Sequence, residues 1–123
     1  MRKELTDEWQ RSGVKQGKEY AILTNEISQA WSGMTTKEYK NFKGLKKENL
    51  RDNMSNLELV LNMLAEVSTT EISRGSNPQG FEESKKVARQ GGNVARNARE
   101  EIEKQSGKSA ITSKTAKDSD QIE

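Results

Sequence analysis

The sequence from Ser55 to Arg74 reads SNLELVLNMLAEVSTTEISR and is the most apolar window of the 123-residue chain. Eight of the eleven residues from 57 to 67 are apolar. Ser55 and Glu58 have the spacing of a capping box, which predicts a helix that begins at Asn56. Apolar residues recur around almost its whole circumference, which is typical of a helix buried on several sides. We therefore expect this helix to form the centre of the fold.

Three helices are predicted upstream of the central one. Leu5 and Trp9 lie four residues apart on one face of a helix over residues 1–12. A second amphipathic helix ends near residue 32, and its apolar face is formed by Tyr20, Leu23, Ile27 and Trp31. Thr35 and Glu38 form a second capping box, which opens a short third helix. At this helical spacing, the aromatic residues are expected to fill the core.

One long helix and a polar tail are predicted downstream. Asn77 can cap this helix and Pro78 can occupy its first position, and the pattern continues to about Gln105. From Ser106 the chain is rich in Ser, Thr, Lys and Asp without a period, which predicts disorder over residues 106–123. The predicted fold class is all-α: four to five helices around a buried central helix, in a single helical domain over residues 1–105, with a disordered tail.

The residue types that are absent exclude several classes of protein. The chain contains no cysteine and no histidine, which excludes disulfides, the common zinc sites and serine–histidine triads. Its paired carboxylates are neighbours in sequence and would diverge on a helix, so they are poor candidates for acid–base catalysis. We expect a protein that is not an enzyme and needs no cofactor or metal. No long apolar segment or signal-peptide pattern occurs, so a cytoplasmic location is expected.

Positive charge is concentrated in residues 37–51, with six basic side chains against two acidic ones. This pattern suits a contact with nucleic-acid phosphates or with an acidic partner, and a solvated helix face is the alternative. The second and third helices, joined by residues 33–35, also have the form of a helix-turn-helix, although no arginine lies in the third helix. The six candidate contact residues are Lys37, Lys40, Lys43, Lys46, Lys47 and Arg51.

The long C-terminal helix carries a narrow stripe of mostly small residues. Such a stripe suits close approach of a second helix, either from another copy of the chain or from a target. The alternative is that this helix only covers the central one. The stripe residues are Val87, Gly91, Val94, Ala95, Ala98 and Ile102, and the flanking candidates for rim contacts are Arg89, Arg96 and Arg99.

Several short motifs are specific as a set to one family. They are Gly33-Met34-Thr35, Lys43-Gly44-Leu45-Lys46, Asn49-Leu50-Arg51-Asp52, Thr69-Thr70-Glu71-Ile72, Gly80-Phe81-Glu82 and Gly91-Gly92. Over about residues 5–110 the chain resembles the C-terminal domain of the DNA-damage-inducible protein D family, which is similar to phage antirepressors of the BRO type. Larger members carry a BRO-type domain upstream, so this chain is expected to be either a stand-alone copy or an excised domain.

The resemblance implies modulation of DNA transactions through protein contact. The leading hypothesis is a non-enzymatic phage or mobile-element module that binds and inhibits a host protein acting on nucleic acid. It would act as an antirepressor, a recombinase inhibitor or an anti-CRISPR type of inhibitor. The expected partner belongs to a nucleic-acid-processing or regulatory complex. Weak contact with nucleic acid and formation of a homodimer are left open, and no contact with a membrane is expected. The alternative is a DNA- or RNA-binding regulator that uses the basic residues 37–51.

Overall fold

The computed structural model describes residues 2–118, and its regular structure in this range is helical throughout. The five helices are α1 (Arg2–Arg11), α2 (Lys18–Ser32), α3 (Thr36–Phe42), α4 (Asn56–Ser76) and α5 (Gly80–Ser106). Short 3₁₀ turns cover Arg51–Asn53 and Ala116–Asp118. The prediction of an all-α fold with four to five helices and a long C-terminal helix is confirmed.

Helix α4 lies at the centre and packs against α1, α2 and α5. Its predicted capping box is present: the Glu58 N–H donates to Ser55 Oγ at 3.1 Å, and the Ser55 N–H donates to Glu58 Oε1 at 2.9 Å. The helix is buried on several sides, as predicted, and its outer side carries Val60, which is 59% exposed, and Val67, which is 36% exposed. The core lies on the opposite side of α4, where Leu61 is buried.

Large side chains from α1, α2 and α3 fill the core beside α4. Of the residues predicted to form the inner faces of α1 and α2, Tyr20 is partly buried and the other five are buried: Leu5, Trp9, Leu23, Ile27 and Trp31. The Trp9 and Tyr20 rings meet edge-on with centroids 5.2 Å apart. The aromatic residues of α1 and α2 therefore serve packing, as their helical spacing predicted.

The junction between α4 and α5 differs from the prediction. Asn77, expected to open the long helix, instead ends α4 in the left-handed conformation with a φ of 51°, and its N–H donates to the Ser73 carbonyl at 2.9 Å. Asparagine tolerates this conformation better than most residues and is a common helix terminator. Helix α5 begins at Gly80, two residues after Pro78. Glu83 Oε1 accepts a hydrogen bond from the Gln79 N–H at 2.7 Å and so satisfies one amide at this helix start.

Two adjacent glycines bring α5 unusually close to its neighbours. A Cβ atom added at Gly91 would lie 1.9 Å from Thr69 Oγ1 and 2.6 Å from Thr69 Cα, on α4. A Cβ atom added at Gly92 would lie 2.4 Å from Ala30 Cβ, on α2. Helix α5 is therefore wedged between α2 and α4, and only glycine fits at both positions.

Residues 107–118, which we call the strap, follow α5 and pack on the helical body. Ala110 and Ile111 are 5% and 9% exposed and belong to the core. The sequence predicted disorder from residue 106 onward, whereas Ser106 ends α5 and the strap has a defined path. The strap contains few apolar residues, and for that reason its composition did not reveal this packing. Residues 119–123 of the predicted tail lie outside the described residues.

A polar cluster connects α1 to the end of α4. Glu8, which is 8% exposed, accepts hydrogen bonds from Arg11 Nη2 at 2.8 Å and from Ser73 Oγ at 2.7 Å. The hydrogen bond from Arg11 lowers the pKa of Glu8 below its ordinary value, and burial opposes this shift only in part. The ionised carboxylate is therefore the form that the folded state favours.

This lowered pKa predicts how stability depends on pH. Because the pKa of Glu8 is lower in the folded than in the unfolded chain, its contribution is present above the unfolded-state value of about 4.3 and is lost as the pH falls through the folded-state value. The free energy of unfolding of Glu8→Gln should therefore fall less steeply below about pH 5 than that of the wild type. Urea unfolding at a series of pH values measures this, with Asp7→Asn on the exposed side of α1 as the control. If the free energy of unfolding of Glu8→Gln depended on pH as steeply as that of the wild type, the lowered pKa of Glu8 would be contradicted.

Candidate binding groove

A groove of about 410 Å³ opens between α2, α3, α4 and the turn at Arg51–Asn53. Apolar side chains form part of its wall: Ile27 from α2, and Leu50 and Met54 from either side of the turn. Hydroxyl and amide groups line another part, among them Thr24 and Asn62, and the rest of the wall is charged. The wall can therefore accept both apolar and hydrogen-bonding groups of a ligand.

One buried carboxylate positions two arginines in this groove. Glu66 is 5% exposed, and its two oxygens contact Arg2 Nη1 at 3.2 Å and Arg51 Nη1 at 3.4 Å. Arg2 is held further by Thr24 Oγ1, 2.6 Å from its Nη2, and by the Trp9 ring, whose centroid lies 5.3 Å from the guanidinium carbon. Each arginine side chain still exposes about two fifths of its surface, at 39% and 42%. Both side chains are thus oriented by Glu66 and remain partly accessible to solvent.

A second cavity of about 460 Å³ adjoins the first and shares Thr36 and Lys40 with it. It adds Lys37 and Lys46, together with polar side chains such as Asn25. We call the two cavities together the basic groove. Its walls contain one carboxylate, Glu66, and five basic side chains: Arg2, Lys37, Lys40, Lys46 and Arg51.

The structure brings together four of the six basic residues selected from the sequence. Lys37, Lys40, Lys46 and Arg51 line the basic groove. Lys47 is exposed on the neighbouring loop and lines neither cavity. Arg2 and Glu66 were missed, because they come from distant parts of the chain and no local pattern distinguishes them from other surface charges.

Lys43 is the only one of the six that is buried, and its predicted contact with phosphates or an acidic partner is corrected. Its side chain is fully buried, and Nζ contacts Glu58 Oε1 at 2.9 Å. The carbonyl oxygens of Thr112 and Lys114, in the strap, accept from the same ammonium group at 2.6 and 2.7 Å. These three acceptors match the three donors of a lysine. Lys43 is therefore an internal residue and does not face a ligand in the basic groove.

Tyr39 completes this buried centre. Its hydroxyl donates a hydrogen bond to Glu58 Oε2, and its side chain is fully buried. Burial, together with this hydrogen bond to the carboxylate, raises the pKa of Tyr39 well above its usual range. The phenol consequently stays protonated and acts as a fixed donor to Glu58.

The stripe of small residues on α5 is used largely inside the fold. Val87, Gly91 and Ala95 are buried, and Ala98 is partly buried. Their burial agrees with the alternative prediction, in which α5 covers the central helix. Close packing of the two helices explains why these side chains are small. Val94 and Ile102 remain 41% and 37% exposed, and their contact with a partner stays a prediction.

The three arginines beside the stripe have ion-pair partners within the chain. Arg89 Nε contacts Glu26 Oε2, on α2, at 2.9 Å. The other two pair along α5: Arg96 with Glu100 at 3.4 Å and Arg99 with Glu103 at 3.6 Å. Their predicted role at the rim of an interface would require them to exchange these partners.

Within residues 2–118, no group of three or more acidic side chains is placed to hold a metal ion. None of the helices in that range combines the length and the apolar character needed to span a membrane.

Comparison with known proteins identifies a family. A family model described as the DinD C-terminal domain matches residues 1–119. No curated protein and no solved structure matches the chain. The matched range includes every helix, the basic groove and the strap, so the whole described fold falls within the family. The chain therefore belongs to the DinD C-terminal domain family.

Proposed function

We propose that this chain is a non-enzymatic interaction domain that binds and inhibits a protein acting on nucleic acid, and that the basic groove holds an acidic segment of that partner. Membership in the family supports a context of DNA damage and antirepression. The observation that carries the proposal is the pair Arg2 and Arg51, which Glu66 fixes beside apolar side chains. Antirepressors, recombinase inhibitors and anti-CRISPR inhibitors differ in their partners and would share this mode of binding.

The geometry of the groove favours an acidic peptide segment with some apolar side chains. A guanidinium that is already oriented loses little conformational freedom when it pairs with a carboxylate. Arg2 and Arg51 are oriented in this way by Glu66, and Lys40 adds a charge beside them. Ile27, Leu50 and Met54 offer apolar contacts in the same groove. Binding would thus combine charge complementarity with burial of apolar surface.

Direct binding of DNA or RNA remains the second candidate, because Lys37, Lys40 and Lys46 lie together. One observation weakens it. Lys43 is internal, so five of the six basic residues selected from the sequence remain available to phosphates. A nucleic-acid binder that makes several phosphate contacts loses orders of magnitude in affinity between low and physiological salt. A partner held partly by apolar contacts should lose much less.

Charge reversal in the groove tests the proposal. Lys40→Glu with Lys46→Glu should reduce capture of the partner from extracts of bacteria with damaged DNA by about tenfold or more, because the new carboxylates repel an acidic segment. The matched control is Lys86→Glu with Lys104→Glu, which makes the same charge change at exposed positions of α5. Captured proteins are quantified by mass spectrometry after nuclease treatment.

Two results would contradict the proposal. Equal capture by the groove variant and the control would place the partner elsewhere on the domain. Loss of all captured protein after nuclease treatment would favour the second candidate, since the proteins would then have been held through nucleic acid.

A further inference from the structure

The strap is held at both ends through its main chain. The Ala110 N–H donates to Glu103 Oε2 at 2.9 Å. The Ala116 N–H donates to Asn53 Oδ1 at 2.9 Å. In both bonds, the helical body supplies the side chain and the strap supplies only a backbone group.

The middle of the strap is held in the same way. Lys43 Nζ donates to the carbonyl oxygens of Thr112 and Lys114 at 2.6 and 2.7 Å. The Thr112 N–H also donates to Glu58 Oε2, with a longer separation of 3.4 Å. Together with the two ends, these bonds involve every second residue from 110 to 116, along a path that bends at residues 110 and 113 and ends in the turn Ala116–Asp118. The body therefore binds backbone groups of the strap at alternate residues.

Few side chains of the strap are buried. Ala110 and Ile111 are buried and provide the apolar anchors. The hydroxyl groups of Ser109, Thr112 and Thr115 bond to neighbouring backbone groups inside the strap. A different segment with a small residue and a β-branched residue at the two anchor positions would make the same backbone hydrogen bonds.

We propose that Lys43, Asn53, Glu58 and Glu103 form a binding track for a peptide segment, and that the strap is its resident, displaceable occupant. The ligand is a segment of a partner protein that follows the path of the strap, with a small residue followed by a β-branched residue at the anchor positions. Lys43 and Glu58 are fully buried beneath the strap, so an occupant is needed to satisfy the ammonium group. This inference uses side chains outside the basic groove and does not depend on the proposed function.

The strap buries little apolar surface, which favours its exchange for another segment. It leaves α5 through Gly107, which has a φ of 72° and ends the helix. Most of its side chains are exposed, and only two of its apolar side chains, those of Ala110 and Ile111, are buried. Segments with few buried apolar contacts open more readily than the core of a domain. A ligand must still compete with the high effective concentration of a tethered segment.

A labelled synthetic peptide with the sequence of residues 107–118, GKSAITSKTAKD, serves as the probe, and fluorescence anisotropy measures its binding to the full chain. Ile111→Asp removes the larger anchor and should release the strap, so this variant should bind the peptide at least about tenfold more tightly than the wild type. Adding Asn53→Ala should weaken that binding, because the contact with the Ala116 amide is lost. A scrambled peptide should not bind. Equal binding by wild type and Ile111→Asp, binding of the scrambled peptide, or no binding at all would overturn the proposal.

Hydrogen exchange of the wild type provides a test that does not rely on a substitution. A large excess of unlabelled peptide should speed exchange of the strap amides at Ala110, Thr112 and Ala116, since the peptide takes their place on the track. Amides in the middle of α4 should be unaffected. Strap amides whose exchange stays unchanged in millimolar peptide would show that the strap is a permanent part of the fold, and the proposal would be wrong.

Discussion

Replacing Gly91 with alanine is expected to lower the free energy of unfolding by about 3 kcal/mol or more, which is a large part of the stability of a small domain. The new methyl group would lie 2.6 Å from both the backbone nitrogen and the Cα of Thr69. Because backbone atoms of a buried helix cannot rotate away, α5 would have to move off α4. Overpacking of this kind usually costs about 1–3 kcal/mol, and contact with the backbone places Gly91→Ala at or beyond the upper end.

Gly75→Ala is the matched control for this prediction. Gly75 is also helical, but nothing lies within 4 Å of an added Cβ atom there. Alanine favours the helix over glycine by about 1 kcal/mol, so Gly75→Ala should raise the stability. Urea unfolding followed by circular dichroism measures both changes. If Gly91→Ala were as stable as the wild type, the close approach of α4 and α5 would be incorrect.

Replacing Lys43 with methionine is expected to cost about 3–5 kcal/mol, because Glu58 would be left as a buried charge without its partner. Loss of the Lys43 ammonium group should also release the strap, since two carbonyl groups of the strap accept hydrogen bonds from it. Lys47→Met is the control: Lys47 is exposed, and its replacement should change the stability by less than about 0.5 kcal/mol.

A second substitution identifies the source of this loss. Glu58→Gln in the Lys43→Met background removes the unpaired charge and keeps an oxygen that can accept from Tyr39, so it should recover part of the stability. Thermal melts of the single and double variants measure the coupling. Equal losses for Lys43→Met and Lys47→Met would mean that Lys43 is solvated, and the buried centre would be wrong.

The helices could be predicted from the sequence because their signals are local. Ser55 with Glu58 and Thr35 with Glu38 are capping boxes at three-residue spacing, and the structure contains both. The inner faces of α1 and α2 follow from the spacing of Leu5 with Trp9 and of Leu23 with Ile27. Asn77 was misplaced because asparagine is favoured at both ends of a helix, and the sequence did not distinguish them.

The basic groove and the strap depend on tertiary contacts that no local sequence pattern indicates. Lys43 is one of six basic residues in a segment whose charge is typical of a solvent-exposed surface. Two of its three acceptors are backbone carbonyls, which every residue possesses, so no residue type in the sequence indicates them. Arg2 and Glu66 are separated by 64 positions in the chain, so only the tertiary fold joins them. The small residues of α5 indicated a close neighbour correctly, but their spacing does not tell whether that neighbour belongs to the same chain.

The location of the partner on the basic groove can be measured directly with a photo-crosslinking amino acid placed at Asn49, an exposed position in the groove wall. Gln90, exposed on α5, is the matched control position. After irradiation of bacteria treated with a DNA-damaging agent, we expect a covalent adduct between the Asn49 variant and a protein that acts on nucleic acid, and no such adduct from the Gln90 variant. The proposal that the partner binds at the basic groove would be contradicted by adducts from Gln90 alone, by equal adducts from both positions, or by no protein adduct from Asn49.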